Sequence, residues 1–234
     1  MNKAIALLTI ILLSFAATAQ TRIDIEEYVN LEKYREANMK LGLPSKNETR
    51  VVFMGNSITE AWGDKSPEFF KETGYINRGI CGQVTHQMLL RFRADVIDLK
   101  PRVVVILAGT NDIAQNSGFV PIEGIAENIM SMAELADCHG IKVVISSVLP
   151  AIDYPWRPGL EPAPKIIKLN EILKKYAADK KFIYVDYYSK MVDKAGGLKV
   201  PDYTSAGDLV HPNRDGYKVM EGLVKAAIAR ALEE

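Results

Sequence analysis

A serine, a histidine and an aspartate in this sequence have the types and spacing that nucleophilic catalysis requires. Ser57 follows an apolar run through Gly55 and Asn56, so its hydroxyl can project beyond the end of that run. A serine hydroxyl is a weak nucleophile until a neighbouring base removes its proton. Among three histidines, only His211 has a carboxylate three residues earlier, Asp208, which can hold Nδ1–H and leave Nε2 facing the serine. These residues predict a hydrolytic triad.

Each member of this triad also has a structural interpretation. Ser57 precedes a predicted helix and can act as its N-cap. Asp208 and His211 can form a surface pair or two ligands of a metal ion, but a metal site needs further ligands. Asp215, the one obvious addition, falls in a predicted helix. The sequence therefore predicts no metal, and without a Gly-x-Gly-x-x-Gly motif after the first strand it predicts no dinucleotide cofactor either.

The elements that must position these residues alternate between strand and helix. Continuous β-branched runs predict five strands buried on both faces: 50–54, 75–78, 102–108, 141–148 and 182–185. Apolar periodicity predicts helices over 25–41, 83–92, 121–139, 162–178 and 212–232. Such alternation indicates an α/β fold, a three-layer α/β/α sandwich. We expect its parallel sheet to be flavodoxin-like, with the strand order 2-1-3-4-5. The carboxyl ends of all strands then share one edge, where ligands bind.

Four short polar blocks follow strands or precede the last helix, at 55–59, 79–83, 109–112 and 208–212. In this order and at these places, the blocks resemble those of the SGNH (GDSL-type) hydrolase family. The pattern is similar to the branch that contains platelet-activating-factor acetylhydrolase-like and carbohydrate esterases. The resemblance runs from about residue 50 to residue 225, which is most of the chain.

The resemblance assigns roles to five residues. It implies a triad of Ser57, Asp208 and His211. It implies an oxyanion hole formed by the backbone N–H groups of Ser57 and Gly82 and the side-chain amide of Asn111. Preset donors of this kind stabilise the charge that develops on the attacked carbonyl. Gly82 and Asn111 are also common turn formers, which is their structural alternative.

The sequence departs from the family pattern at two positions. Asn56 stands where many members have aspartate, and we expect its amide to tie the catalytic loops together by hydrogen bonds. Cys81 stands where a small residue is common. We expect Cys81 and Cys138 to be buried thiols rather than a disulfide, because two cysteines are too few for a disulfide framework.

The loop 149–158 follows the fourth strand and carries candidate substrate-binding residues. Tyr154 and Trp156 can stack on a sugar ring, and Arg157 can meet an acidic group. His86 is close to the Gly82 loop and can line the same cleft. The alternative is a packed surface loop that prolines hold rigid. Because the loop is compact and has no greasy run, it favours a short acyl group such as acetyl.

These features predict a serine esterase that removes O-acetyl groups from a carbohydrate through an acyl-enzyme on Ser57. A lysophospholipase or thioesterase with the same triad is the first alternative, and a non-catalytic glycan-binding protein is the second. The 29 basic and 29 acidic side chains cancel, so there is no basic field for nucleic acid. The predicted partner is a small-molecule or glycan ester. Nothing in the sequence requires a second copy, and a homodimer stays open.

The N-terminus has the pattern of a secretory signal peptide over 1–19. Lys3 precedes an apolar run from Ala4 to Ala17, and Ala17-Thr18-Ala19 is a small-x-small cleavage site. A membrane anchor is the alternative, but the run is shorter than the roughly 20 residues that span a bilayer. No cysteine follows Ala19 to carry a lipid. We therefore predict an exported protein, periplasmic or secreted, with an N-terminal extension over 20–49 and a hydrolase domain over 50–234.

Overall fold

The computed structural model describes residues 24–233, so the predicted signal peptide over 1–19 lies outside the described residues. The strands are β1 Val51–Gly55, β2 Ile76–Gly79, β3 Val103–Leu107, β4 Lys142–Ser146 and β5 Ile183–Val185. They form one parallel sheet of order β2-β1-β3-β4-β5. The predicted strand order is confirmed, and each strand begins and ends within two residues of its predicted bounds.

Helices cover both faces of this sheet. They are α1 Ile25–Val29, α2 Glu32–Leu41, α3 Ser57–Lys65, α4 Pro67–Thr73, α5 Thr85–Asp95, α6 Thr110–Ile113, α7 Ile122–Cys138, α8 Pro162–Lys180, α9 Tyr188–Met191 and α10 Arg214–Glu233, with a 3₁₀ turn over Ile97–Leu99. Helices α3 and α10 pack together on one face, and α5, α7 and α8 pack side by side on the other. The result is the predicted α/β/α sandwich.

The sheet is buried on both faces, as its apolar runs predict. Every residue of β1 and β3 is buried. Under α3 and α4, the Trp62 ring stacks on Phe69 at 5.1 Å and on Tyr217 of α10 at 5.4 Å between centroids. These large apolar contacts hold α3, which begins at Ser57, against the sheet and α10.

The predicted N-terminal helix over 25–41 is two helices in the structure. Asn30 ends α1 in the left-handed conformation at φ 53°, and α2 starts at Glu32. Both helices pack on α5. Tyr28 and Tyr34, which the periodicity turns inward, are half-buried, and Val29 is fully buried.

Two further predictions need correction. The last helix begins at Arg214 rather than Pro212, because the Asn213 side chain accepts the N–H of Gly216 at 3.0 Å and so caps it. Cys81 and Cys138 are free, as predicted, but both are exposed rather than buried. Among the described residues, no helix combines the length and the apolar character needed to cross a membrane.

Candidate active site

The nucleophile candidate lies where β1 meets α3. Asn56 is the N-cap of α3, and its Oδ1 accepts the Ile58 N–H at 3.0 Å. Ser57 is therefore the first helical residue and not the cap that its position before a helix allows. The Asn56 side chain is buried, and this hydrogen bond holds its own helix rather than bridging the catalytic loops as expected. The backbone N–H and the hydroxyl of Ser57 thus stand at the positive end of the helix.

A glycine lets the second strand pass against this helix. At Gly79, a Cβ atom would stand 2.2 Å from the Glu60 backbone nitrogen and 2.7 Å from the Asn56 carbonyl oxygen. Only a residue without a side chain fits there. Past this contact, the Ile80 N–H donates to the Gly55 carbonyl at 3.1 Å, which joins the Gly82 loop to the end of β1.

Ser57, His211 and Asp208 form a continuous hydrogen-bonded chain. Ser57 Oγ lies 2.9 Å from His211 Nε2, and His211 Nδ1 lies 2.8 Å from Asp208 Oδ1. An ionised carboxylate only accepts hydrogen bonds, so it selects the tautomer with hydrogen on Nδ1 and a free lone pair on Nε2. In this arrangement the imidazole can take the serine proton as general base.

The turn that carries Asp208 and His211 keeps the carboxylate ionised. Burial raises the pKa of Asp208, but hydrogen bonds from the backbone N–H and ring of His211, that ring's charge and the Val210 N–H outweigh it, and the pKa falls below its ordinary value. Leu209, between them, adopts the left-handed conformation at φ 64°. A branched side chain in this conformation is strained, and the turn is held by its own hydrogen bonds.

The candidate oxyanion donors lie on loops that are bonded to each other. Gly82 has φ 78°, and no atom lies within 4 Å of where its Cβ would stand, so a substrate can approach its backbone. The Asn111 amide is buried, and its Nδ2 donates to the Gln83 carbonyl at 3.0 Å. The amide has a second hydrogen to offer to an oxyanion. The sequence does not predict this link between Asn111 and the Gly82 loop.

The loop 149–158, here called the substrate loop for its candidate role, separates its two aromatic residues. Trp156 is 45% exposed, and its ring centroid is 6.4 Å from that of His211. Its Nε1 donates to Asn116 Oδ1 at 3.1 Å, which fixes the ring. Tyr154 is 0% exposed and packs beneath Trp156 at 5.1 Å, so the expectation that it stacks on a sugar is wrong. The loop turns between the two residues, so Tyr154 lies in the core and Trp156 lies at the surface.

Arg157 and His86 have partners within the protein. Arg157 is exposed, and its Nη1 donates to the backbone carbonyls of Ala114 and Gln115, so it ties the substrate loop to the segment after Asn111. His86 Nε2 lies 2.5 Å from the Tyr28 hydroxyl, and partial burial lowers its pKa. The structure thus places His86 against α1, with its ring nitrogen already engaged.

Two buried groups beneath the site have no role in the sequence-based prediction. Arg91 of α5 is 0% exposed and donates to the Gly55 carbonyl at 3.0 Å and to Asp95 at 2.9 Å. Asp112 accepts hydrogen bonds from the backbone N–H and the hydroxyl of Thr85, at 2.9 and 2.6 Å. Burial raises the pKa of Asp112 to about 6, against the effect of these bonds. The position of Asp112 directly after Asn111 is the one feature of the sequence that could have predicted its place near the site.

Several known proteins resemble this chain in sequence and in fold. Residues 53–219 match the model of the GDSL-like Lipase/Acylhydrolase family, most of the span expected from the four blocks. An acylhydrolase structure from Bacteroides fragilis is 49% identical, covering 90% of this chain and 100% of that one, with a TM-score of 0.85. A GDSL-like lipase from Bacteroides thetaiotaomicron is 50% identical over 87% and 99% of the two chains, with a TM-score of 0.84.

More distant matches share less. A structure described as a platelet activating factor from Streptococcus pneumonia is 25% identical over 86% of this chain and 91% of that one, with a TM-score of 0.69. The uncharacterised lipoprotein YqeF of Bacillus subtilis is 37% identical over 81 residues, so this chain spans 33% of that relative's length. The resemblance read from the four blocks is confirmed. The chain belongs to the GDSL-like lipase/acylhydrolase family, a family of ester-bond hydrolases.

Proposed function

We propose that this protein is an exported serine esterase that removes short acyl groups, acetyl above all, from a carbohydrate. The observation that carries the proposal is the chain from Ser57 Oγ through His211 to Asp208, with links of 2.9 and 2.8 Å. These are hydrogen-bond distances for a nucleophile and its base before a substrate arrives.

The proposed reaction has two halves. His211 Nε2 takes the Ser57 proton as Oγ attacks the ester carbonyl, and the N–H groups of Ser57, Gly82 and Asn111 stabilise the tetrahedral oxyanion. Protonated His211 then gives the proton to the departing alcohol, which leaves an acyl-enzyme. Water attacks this acyl group with His211 again as base, releasing the carboxylic acid and restoring the Ser57 hydroxyl.

Trp156 supports a carbohydrate as the alcohol. Because His211 protonates the leaving oxygen, the alcohol must lie beside the His211 ring. The exposed face of Trp156 is next to that ring, and the hydrogen bond to Asn116 holds it in place. A flat, preorganised aromatic surface suits the apolar face of a sugar ring at little entropic cost.

A pinned substrate loop supports a short acyl group. Asp153 Oδ1 accepts the N–H groups of Tyr154 and Gly159 at 2.9 and 3.0 Å, and Arg157 bonds the carbonyls after Asn111. These contacts make a rigid border rather than a lid that opens for a long chain. Export is supported by the pattern at residues 1–19, and the Bacillus subtilis relative is named a lipoprotein.

The first experiment compares hydrolysis of p-nitrophenyl esters of two to twelve carbons by the wild type and Ser57→Ala. We expect a maximum at acetate and a loss of at least about 10³-fold in kcat for the variant, because the nucleophile is gone. Full activity in Ser57→Ala would refute the mechanism. A maximum at eight carbons or longer would favour a lysophospholipase or thioesterase. Glycan binding without turnover of any ester would favour a binding protein.

The second experiment tests the sugar-binding role of Trp156. We expect Trp156→Ala to raise KM for acetylated oligosaccharides about 2- to 12-fold, because a stacking contact is worth on the order of 0.5–1.5 kcal/mol. KM for p-nitrophenyl acetate serves as the internal comparison and should change less. The matched control is Phe119→Ala, another exposed aromatic, 77% exposed, for which no contact with His211 is seen among the described residues. Equal effects of both variants on both substrates would contradict the assignment.

A further inference from the structure

Gln83 lies where three parts of the molecule meet behind the oxyanion site. It directly follows Gly82 and is 4% exposed. Its backbone carbonyl accepts the Asn111 amide at 3.0 Å. Its side-chain Oε1 accepts from Arg91 Nε at 2.5 Å, and its Nε2 donates to the Val29 carbonyl at 2.7 Å. This buried glutamine thus follows Gly82 directly in the chain, is hydrogen-bonded to Asn111, and is hydrogen-bonded to α1 through Val29.

Arg91 extends this connection to the third donor. The same guanidinium that holds Gln83 donates from Nη2 to the Gly55 carbonyl at 3.0 Å, two residues before Ser57. Its Nη1 is paired with Asp95 at 2.9 Å. The segments that carry Ser57, Gly82 and Asn111 are therefore hydrogen-bonded to one Gln83–Arg91 pair.

Residues 24–41, here the N-terminal segment, hold this pair from outside. Val29, whose carbonyl accepts the Gln83 amide, is fully buried. Farther along the segment, the Tyr34 hydroxyl donates to the Gly79 carbonyl. Lys33 pairs with Glu60, and the other oxygen of that carboxylate accepts the Cys81 N–H. The contacts of the N-terminal segment thus lie on both sides of Gly82.

The position of these donors is worth more to the rate than to substrate binding. An oxyanion exists only in the transition state and the intermediate, so a displaced donor lowers kcat and leaves KM nearly unchanged. Losing one such donor costs about 10²–10³-fold, and displacement by 1 Å can cost about 10²-fold.

We propose that Gln83 is a positioning residue for the oxyanion hole, and that the N-terminal segment is a working part of the esterase because it holds Gln83 through the Val29 carbonyl. This inference rests on the proposed function. It assigns a role to residues 24–41, which lie outside the match to the family model over 53–219.

The test is Gln83→Glu, which has the same shape. Glutamate keeps an acceptor for Arg91 but places an oxygen against the Val29 carbonyl, where the amide donates now. With p-nitrophenyl acetate, we expect kcat to fall about 10²-fold while KM stays within about twofold. The thermal unfolding midpoint is measured beside the kinetics, so that only folded enzyme is compared.

Gln87→Glu is the matched control. Gln87 also joins α5 to the N-terminal segment, since its Nε2 donates to the Tyr28 carbonyl at 2.8 Å. Its Oε1 accepts the Val84 N–H at 3.1 Å, and glutamate keeps that acceptor. The control therefore loses the same kind of contact with the same segment, without touching Gly82, Asn111 or Arg91. We expect its kcat to equal that of the wild type.

The outcomes separate this inference from the proposed function. The positioning role is refuted, while the proposed function stands, in two cases in which Ser57→Ala is inactive. In the first, the kcat of Gln83→Glu equals that of the wild type; in the second, both glutamine variants lose kcat equally. If the wild type hydrolyses no ester, the proposed function fails. In that case, crystal structures of Gln83→Glu and Gln87→Glu decide on the inference. Displacement of Gly82 and Asn111 in Gln83→Glu but not in Gln87→Glu supports it, and an unchanged geometry in both variants overturns it.

Discussion

Asp112 is a carboxylate whose surroundings disfavour its charge. It is 1% exposed, and burial raises its pKa to about 6 although two donors of Thr85 oppose the shift. An aspartate in an unfolded chain has a pKa of about 3.9. Because the pKa of Asp112 is higher in the folded than in the unfolded chain, its protonation stabilises the fold. This contribution to the free energy of unfolding is complete below about pH 4 and is lost as pH rises through about 6.

Replacing Asp112 by asparagine should remove this dependence. We expect the free energy of unfolding of the wild type, minus that of Asp112→Asn, to decrease from pH 4 to pH 7, by about 1.4 kcal/mol per unit of pKa difference. Urea unfolding at several pH values measures it. Asp98→Asn, at an exposed carboxylate, controls for the loss of one acidic group. A difference between wild type and Asp112→Asn that is constant over this range would contradict the prediction.

The contact between α3 and α10 sets the distance between Ser57 and His211. Ser57 begins α3, and His211 precedes α10 by only a short cap. The Tyr217 hydroxyl of α10 donates to the Ile58 carbonyl at 2.8 Å, and its ring stacks on Trp62. Because Ile58 is next to Ser57, this bond fixes the two halves of the site relative to each other.

Tyr217→Phe removes only that hydroxyl. We expect it to lower the free energy of unfolding by about 1 kcal/mol, the value of a buried neutral hydrogen bond. We also expect a lower kcat, because the Ser57–His211 distance is less well defined. Urea unfolding and ester kinetics measure the two effects.

The control for this substitution is Tyr176→Phe. The Tyr176 hydroxyl also bonds between helices, to Glu134 at 3.1 Å, but the contact is exposed and far along the chain from the site. We expect a change in stability below about 0.5 kcal/mol and an unchanged kcat. Equal losses from both tyrosines would argue against a specific role for Tyr217.

At the scale of the whole molecule, the strand–helix alternation decides where chemistry can occur. A parallel sheet brings the carboxyl ends of its strands to one edge. Ser57, Gly82 and Asn111 follow β1, β2 and β3, which are neighbours in the sheet. The chain from 24 to 41 then packs against α5, directly behind the loop that carries Gly82.

The sequence by itself indicated the five strands of the sheet, and its resemblance to the family implied the five candidate site residues. Buried parallel strands are continuous β-branched runs, which stand out from helices without knowledge of their neighbours. The candidate site residues were also recognisable, because each lies in a short polar block after a strand or before the last helix. Such features are local in the chain, so their signals survive in the sequence.

Only the tertiary structure decided which buried polar groups support that site. Tyr154 and Trp156 are two residues apart, yet one is 0% and the other 45% exposed. Gln83 and Arg91 are joined to Val29 and Gly55, which are more than thirty residues away along the chain. Hydrogen bonds between distant segments follow from packing and leave no periodic pattern in the sequence. Which residues are exposed at this site and which are buried behind it is therefore decided by the tertiary structure.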